Sequence, residues 1–145
     1  MARIIAFTLY AFFSLALSTG LVLAKEVYNV VIIETLPVPI VTESRIEFEK
    51  ELARIMPNHD INVTTYDAEG SELRAKAILA DLAKEPTPDL MVSVATLATR
   101  ALNASSEFLE VPKLFMAVSS PVEEGIVPVI GASSDRNITG ESHVL

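Results

Sequence analysis

A chain of 145 residues, half of them apolar and 21% charged, with a mean hydropathy of +0.42, has the composition of one globular domain rather than of a disordered segment. Its formal charge of −8 makes nucleic acid and anionic membrane surfaces poor partners. It has no cysteine, which excludes disulfides, thiolate nucleophiles, Cys-type metal sites and a lipoprotein anchor.

Part of the apolar excess sits at the start. Arg3 precedes an apolar run from Ile4 to Leu17, followed by Ser18-Thr19-Gly20 and Val22-Leu23-Ala24. A cation, an apolar stretch and a small-residue site, with Val at −3 and Ala at −1, form a signal peptide cleaved after Ala24. The run is also nearly long enough to be a retained anchor, but the cleavage site favours the leader. Residues 1–24 are thus read as a signal peptide and 25–145 as an exported domain, periplasmic or secreted. Losing Arg3 takes the charge from −8 to −9.

From there the chain alternates. Glu26 to Ile33 reads as a first strand, central because Val30 to Ile33 is continuous and β-branched. Two prolines in Glu34 to Ile40 predict a loop. A helix follows, capped by Thr42 and running to about Met56, with Phe48, Leu52, Ile55 and Met56 on one face. Along it, Glu43, Glu47 and Glu51 form like-charge pairs at i, i+4, while Glu47–Lys50 and Glu51–Arg54 attract. Ile61 to Tyr66 alternates and predicts an edge strand. Asp67-Ala68-Glu69-Gly70 is a turn. Ser71 caps a second helix to about Lys84, with Ala75, Ile78, Leu79 and Leu82 as its stripe.

Leu90 to Val94 is a short buried strand. Ala95 and Thr96 fall at its end, and an Ala-rich helix runs on to about Ser105. Val111 to Val118 is the fourth strand and Ser119-Ser120-Pro121 its exit. Val127 to Ile130 predicts a further short strand, and Ile138-Thr139-Gly140 begins another. This alternation predicts an α/β fold, a three-layer α-β-α sandwich on a flavodoxin-like, mostly parallel sheet of order 2-1-3-4-5.

Ligands of open α/β sheets bind beyond the carboxyl ends of the strands. Three loops fall there: Glu34-Thr35, Ala95-Thr96-Leu97 and Ser119-Ser120. The helix starting near Thr96 offers free N–H groups and positive dipole to an anion, with the Thr96 and Thr99 hydroxyls beside them. The plainer reading is that Thr96 only caps that helix.

Signals for catalysis are weak. There is no P-loop, nucleophile elbow or dinucleotide fingerprint. His59 and His143 lack partners at metal-ligand spacing, and His59 falls at the opposite end of the sheet from Ser119 and Ser120. Three N-glycosylation sequons, at Asn62, Asn103 and Asn137, matter only in a eukaryotic secretory pathway. The chain is read as a non-enzyme with no cofactor and no metal. An exported hydrolase using Ser119 or Ser120 is the weaker alternative.

Taken together, Phe48 and Leu52, Tyr66 to Gly70, Thr87 to Val92, Ala95-Thr96, Val111-Pro112, Phe115 to Val122, Gly125-Ile126-Val127 and Asn137-Ile138-Thr139-Gly140 resemble the substrate-binding proteins of ABC uptake systems. These belong to the type I periplasmic-binding-protein superfamily, and the resembling group includes tryptophan- and other aromatic-amino-acid-binding members. The resemblance covers nearly all of residues 27–142. It implies a two-lobed clamp of which 25–145 is the N-terminal lobe, a second lobe being absent. It also implies a small-molecule ligand such as an aromatic amino acid, and an ABC permease or a membrane sensor as partner. Thr96 matches a position the family uses near ligand. Ser119 and Ser120 stand where the family has Thr-Asp, which leaves no charged contact there, and Glu34 and Thr35 match in position only. One wall alone predicts weak binding, and the uncovered sheet predicts self-association. An exported module feeding a membrane signalling protein is the other alternative.

Overall fold

The computed structural model describes residues 26–131 and 134–142. The leader assignment and His143 lie outside the described residues. Five strands, β1 (Val27–Glu34), β2 (Asp60–Asp67), β3 (Leu90–Val94), β4 (Lys113–Val118) and β5 (Ile138–Ser142), form one sheet in the order β2-β1-β3-β4-β5. Every pairing is parallel, so the sheet is wholly rather than mostly parallel. Helices α1 (Pro39–Ile55), α2 (Glu72–Leu82) and α3 (Thr96–Ala104) connect the strands.

The alternation of each strand splits the core into two layers. On one face, Val30 and Ile32 of β1 and Val92 and Val94 of β3 pack under Val41, Phe48 and Leu52 of α1. On the other, Val31, Ile33 and Met91 pack under Ala75, Leu79 and Leu82 of α2 and Ala98, Ala101 and Leu102 of α3. β1 and β3 are covered on both sides, which is why their sequences are continuously apolar. β2 is an edge strand with most of its residues exposed.

Three expectations are corrected. The first helix begins at Pro39, not after Thr42: Val38 is its N-cap and Pro39 occupies the first turn. Proline is tolerated there because its missing N–H has no intrahelical acceptor to lose. Ile55, the last residue of that helix, is not on the buried stripe but 57% exposed. Val127 to Ile130 is not a strand. Val127 joins Phe115, Val118, Ile126 and Ile138 in a third cluster, but Pro128 removes a ladder donor, and Val129 and Ile130 face outward.

Gly140 lets β5 close on β4: a Cβ there would lie 2.1 Å from the Phe115 carbonyl oxygen. At the amino end of β4, buried Lys113 donates to the carbonyls of Phe108, Leu109 and Val111. Burial pushes its pKa below the ordinary lysine value, and the cation clamps the loop that delivers β4. Among the described residues, no helix is long and apolar enough to cross a membrane.

Candidate functional site

The register sets Asp67, Glu34, Val94 and Met116 side by side across the sheet. The exits of β1, β2, β3 and β4 therefore open along one carboxyl edge, and the three predicted loops meet there. A fourth loop, Ala68 to Gly70, joins them: Ala68 N–H donates to the Glu34 carbonyl at 2.8 Å and Gly70 N–H to the Thr35 carbonyl at 2.7 Å. It reads in the sequence only as a turn. Its position after the second strand is the signal that would have placed it at the edge.

Glu34 and Thr35 are both buried, and both are committed within the protein. The Glu34 carboxylate accepts from Arg45 Nε at 2.7 Å, and Arg45 also donates to Glu49 at 2.7 Å. The hydrogen bond with Glu49, reinforced by Glu34, raises the Arg45 pKa against the opposing effect of burial. Glu34 thus ties β1 to α1. Thr35 Oγ1 donates to the Val94 carbonyl at 3.1 Å and accepts from Ala98 N–H at 3.1 Å.

This changes the donor set at the start of α3. The N-cap is Ala95, which has no side chain for capping, and Thr96 is already helical. The cap comes from Thr35, so Ala98 N–H is taken. Thr99 is not at the edge either. It is fully buried, with its hydroxyl against Ser93 Oγ at 3.0 Å and the Ala95 carbonyl at 2.9 Å. What remains is the pair of N–H groups of Thr96 and Leu97 and the Thr96 hydroxyl, none of which has a partner among the described residues.

The backbone around them is held in unusual shapes. Ala95 lies at φ 70, ψ 166, a region occupied almost only by glycine. The residue is fixed there because its N–H bonds the Met116 carbonyl at 2.9 Å while its own carbonyl accepts from Thr99 N–H at 3.2 Å. Facing it, β4 carries an irregularity between Phe115 and Val118, with Ala117 at φ 54. Such bulges re-aim the chain at the rims of sheets. Beyond it, Ser119 is exposed and Ser120 half-buried, and neither hydroxyl has a hydrogen-bond partner among the described residues. The Ser120 carbonyl accepts from Glu124 N–H at 3.0 Å and that of Pro121 from Ile126 N–H at 2.8 Å, which closes the turn.

The edge therefore offers two backbone N–H groups at a helix start and three hydroxyls. That set can hold a carboxylate or another small polar head; it contains no base beside a nucleophile. His59 lies at the amino ends of the strands, 3.9 Å from Glu26 and stacked edge-on to Tyr28 with ring centroids 5.4 Å apart. No group of three acidic or imidazole side chains among the described residues is arranged to hold a metal.

No protein-family model and no curated protein matches the chain. Solved structures do. A ligand-free, open form of CD0873, a substrate binding protein with adhesive properties from Clostridium difficile, superposes with a TM-score of 0.68 at 23% identity, covering 81% of this chain and 39% of that one. An ABC domain in complex with L-Trp from Streptococcus pneumonia gives 0.70 at 20% identity, over 79% of this chain and 38% of that one. A conserved domain protein from Vibrio cholerae gives 0.65 at 25% identity, over 81% and 39%. The chain has the fold of one lobe of a periplasmic binding protein, and it spans less than two fifths of the length of each of these neighbours.

Proposed function

We propose that this chain is the N-terminal lobe of an exported solute-binding protein, the capture component of an ABC-type uptake system, and that it performs no chemistry of its own. The observation that carries the reading is the set of donors along the carboxyl edge that have no partner among the described residues: the N–H groups of Thr96 and Leu97 after β3 with the hydroxyls of Thr96, Ser119 and Ser120 after β3 and β4. Their chemistry suits the carboxylate of an amino acid, and the L-Trp complex of a structural neighbour supports that class. Glu34 and Thr35 act behind the site, positioning α1 and α3, and Ala95 sets the turn that brings the donors forward.

A lobe supplies one wall of a pocket, and small-molecule sites bury most of their ligand's surface. The isolated lobe accordingly binds weakly, and tight binding belongs to a clamp completed by a second lobe. Export through a leader ending near Ala24 places the protein where an importer's permease collects its ligand.

Isothermal titration with the common amino acids, L-Trp first, tests the reading on this chain and on a two-lobed form of the protein. Saturable binding by the two-lobed form, weaker by orders of magnitude in the single lobe, is expected. If neither amino acids nor short peptides bind the two-lobed form, the assignment fails.

A further inference from the structure

Three of the edge loops are joined from inside the protein: the Thr35 hydroxyl accepts from Ala98 N–H and the Thr35 carbonyl from Gly70 N–H. The exit of β4 lies beyond that reach. After the irregularity between Phe115 and Val118, the chain enters a turn, Ser119 to Val127, that closes on its own backbone, with Glu124 N–H on the Ser120 carbonyl at 3.0 Å. Apolar contact through Ile126 and Val127 seats it. Among the described residues, its polar links to another element both run to α3. Glu124 lies 3.5 Å from Arg100 Nη1, and the Gly125 carbonyl accepts from Asn103 Nδ2 at 3.3 Å.

Arg100 holds a second carboxylate at the same time. Its Nη2 lies 3.2 Å from Glu72, in the first turn of α2 just after the Ala68 to Gly70 loop. A guanidinium can do this because its donors fan out in a rigid plane, whereas an ammonium is a compact point. Arg100 sits one turn from Thr96, about 6 Å along α3. The helix whose start offers the Thr96 and Leu97 donors thus also carries the cation that grips the turn bearing Ser119 and Ser120. Glu124 has no other ion-pair partner among the described residues, while Glu72 also pairs with Lys76. Partly exposed ion pairs add little to global stability, so the arrangement acts on where the turn sits, not on whether the chain folds.

We infer that Arg100 is a positioning residue of the capture site: by gripping Glu124 and Glu72 from α3, it fixes the Ser119 and Ser120 hydroxyls against the Thr96 and Leu97 donors. Arg100 acts through Glu124 rather than on a bound solute. The inference rests on the capture reading for what is bound, but not for the tether, whose three side chains all belong to elements of this lobe.

The first arm of the test uses this chain alone. In Arg100→Gln and in Glu124→Gln, amide exchange at Glu124 and Ile126 is expected to quicken about two- to fivefold, the weight of one partly exposed ion pair, with the urea midpoint unchanged. The double variant should be no faster than either single one, as a shared contact requires, and Arg100→Lys should restore only part. Arg54→Gln, which breaks a surface pair on α1, should change nothing. The second arm is calorimetric titration of the two-lobed form with amino acids, L-Trp first, where the same substitutions should weaken binding about two- to fivefold. Exchange that is unchanged in the turn, quickened equally across the sheet, or additive in the double variant would overturn the inference. So would a quickened turn with unaltered affinity. If no amino acid binds the parent two-lobed form, the capture reading falls, and the first arm still decides whether Arg100 holds the turn.

Discussion

Thr35 caps a helix that starts far from it in the chain: its hydroxyl accepts from Ala98 N–H at 3.1 Å, 63 residues on. The same hydroxyl donates to the Val94 carbonyl, so one small side chain joins the exits of β1 and β3 to the first turn of α3. Thr35→Val keeps the shape and leaves both partners unsatisfied in a buried place. It should destabilise the fold by about 1–2 kcal/mol in urea unfolding, as loss of a helix cap does, and Thr35→Ser should recover most of that.

Ala95 carries its side chain in a backbone region that glycine occupies freely. Strain of this kind costs about 1–3 kcal/mol, and a glycine there loses about 0.4–1 kcal/mol through added freedom of the unfolded chain. Ala95→Gly is therefore expected to stabilise the protein by about 1 kcal/mol, and Ala95→Val to destabilise it. A glycine variant no more stable than the parent would mean that the turn is not strained.

Gly140 admits no side chain, since an added Cβ meets the Phe115 carbonyl at 2.1 Å. Backbone must move, so Gly140→Ala should cost about 1–3 kcal/mol or more, the range of overpacking. Amide exchange separates local from global loss: protection should fall first over Ile138 to Ser142.

Glu72 binds Lys76 at 2.7 Å and Arg100 at 3.2 Å. The Lys76 hydrogen bond is the main cause holding its carboxyl below the ordinary value of 4.5, opposed by desolvation and aided by the Arg100 charge. The folded value lies below the unfolded one, so this contribution to stability is present above pH 4.5 and is lost as pH falls through the folded value. The stability difference between the parent and Glu72→Gln should be constant above that pH and shrink below it. A difference that grows on acidification would contradict the assignment.

At the carboxyl edge, Thr96→Val and the paired Ser119→Ala and Ser120→Ala changes remove hydroxyls that have no partner among the described residues. Folding stability should stay within about 0.5 kcal/mol, as for ordinary surface changes. In a ligand-binding two-lobed form, Thr96→Val should weaken affinity by about tenfold, the size of one hydrogen bond to a charged group.

How far the sequence could be read follows the range of the interactions involved. Strand order was legible because alternating strand and helix segments with short links leave few topologies, and Val30 to Ile33 and Leu90 to Val94 announce central strands by their unbroken apolar runs. Ser71 was legible as a cap because its acceptor role toward Arg74 N–H is local. Thr35 was not, because the N–H it caps belongs to another segment; proximity in the sheet, not along the chain, creates the bond. The same holds for Glu34, which looked available at a strand end until Arg45 of α1 met it. Pro39 misled because a proline marks a helix start as readily as a break. The apolar run at Val127 was read as a strand because hydrophobicity alone does not separate a buried turn from a ladder.

The pairing pattern also bears on how the chain reaches this state. Val27 pairs with Asp60, Val30 with Leu90, Met91 with Lys113 and Lys113 with Ile138, and all these ladders are parallel. A hairpin therefore cannot seed the sheet; each ladder must wait for an intervening segment to loop across. Loop closure precedes its reward at every step, which makes assembly slow relative to chains that fold through local contacts. β1, which takes part in two of the four ladders, gains its second neighbour only after Leu90 has arrived. Until then its apolar residues lack one flank of the sheet, and this interval is when the nascent protein is most open to aggregation or to a chaperone.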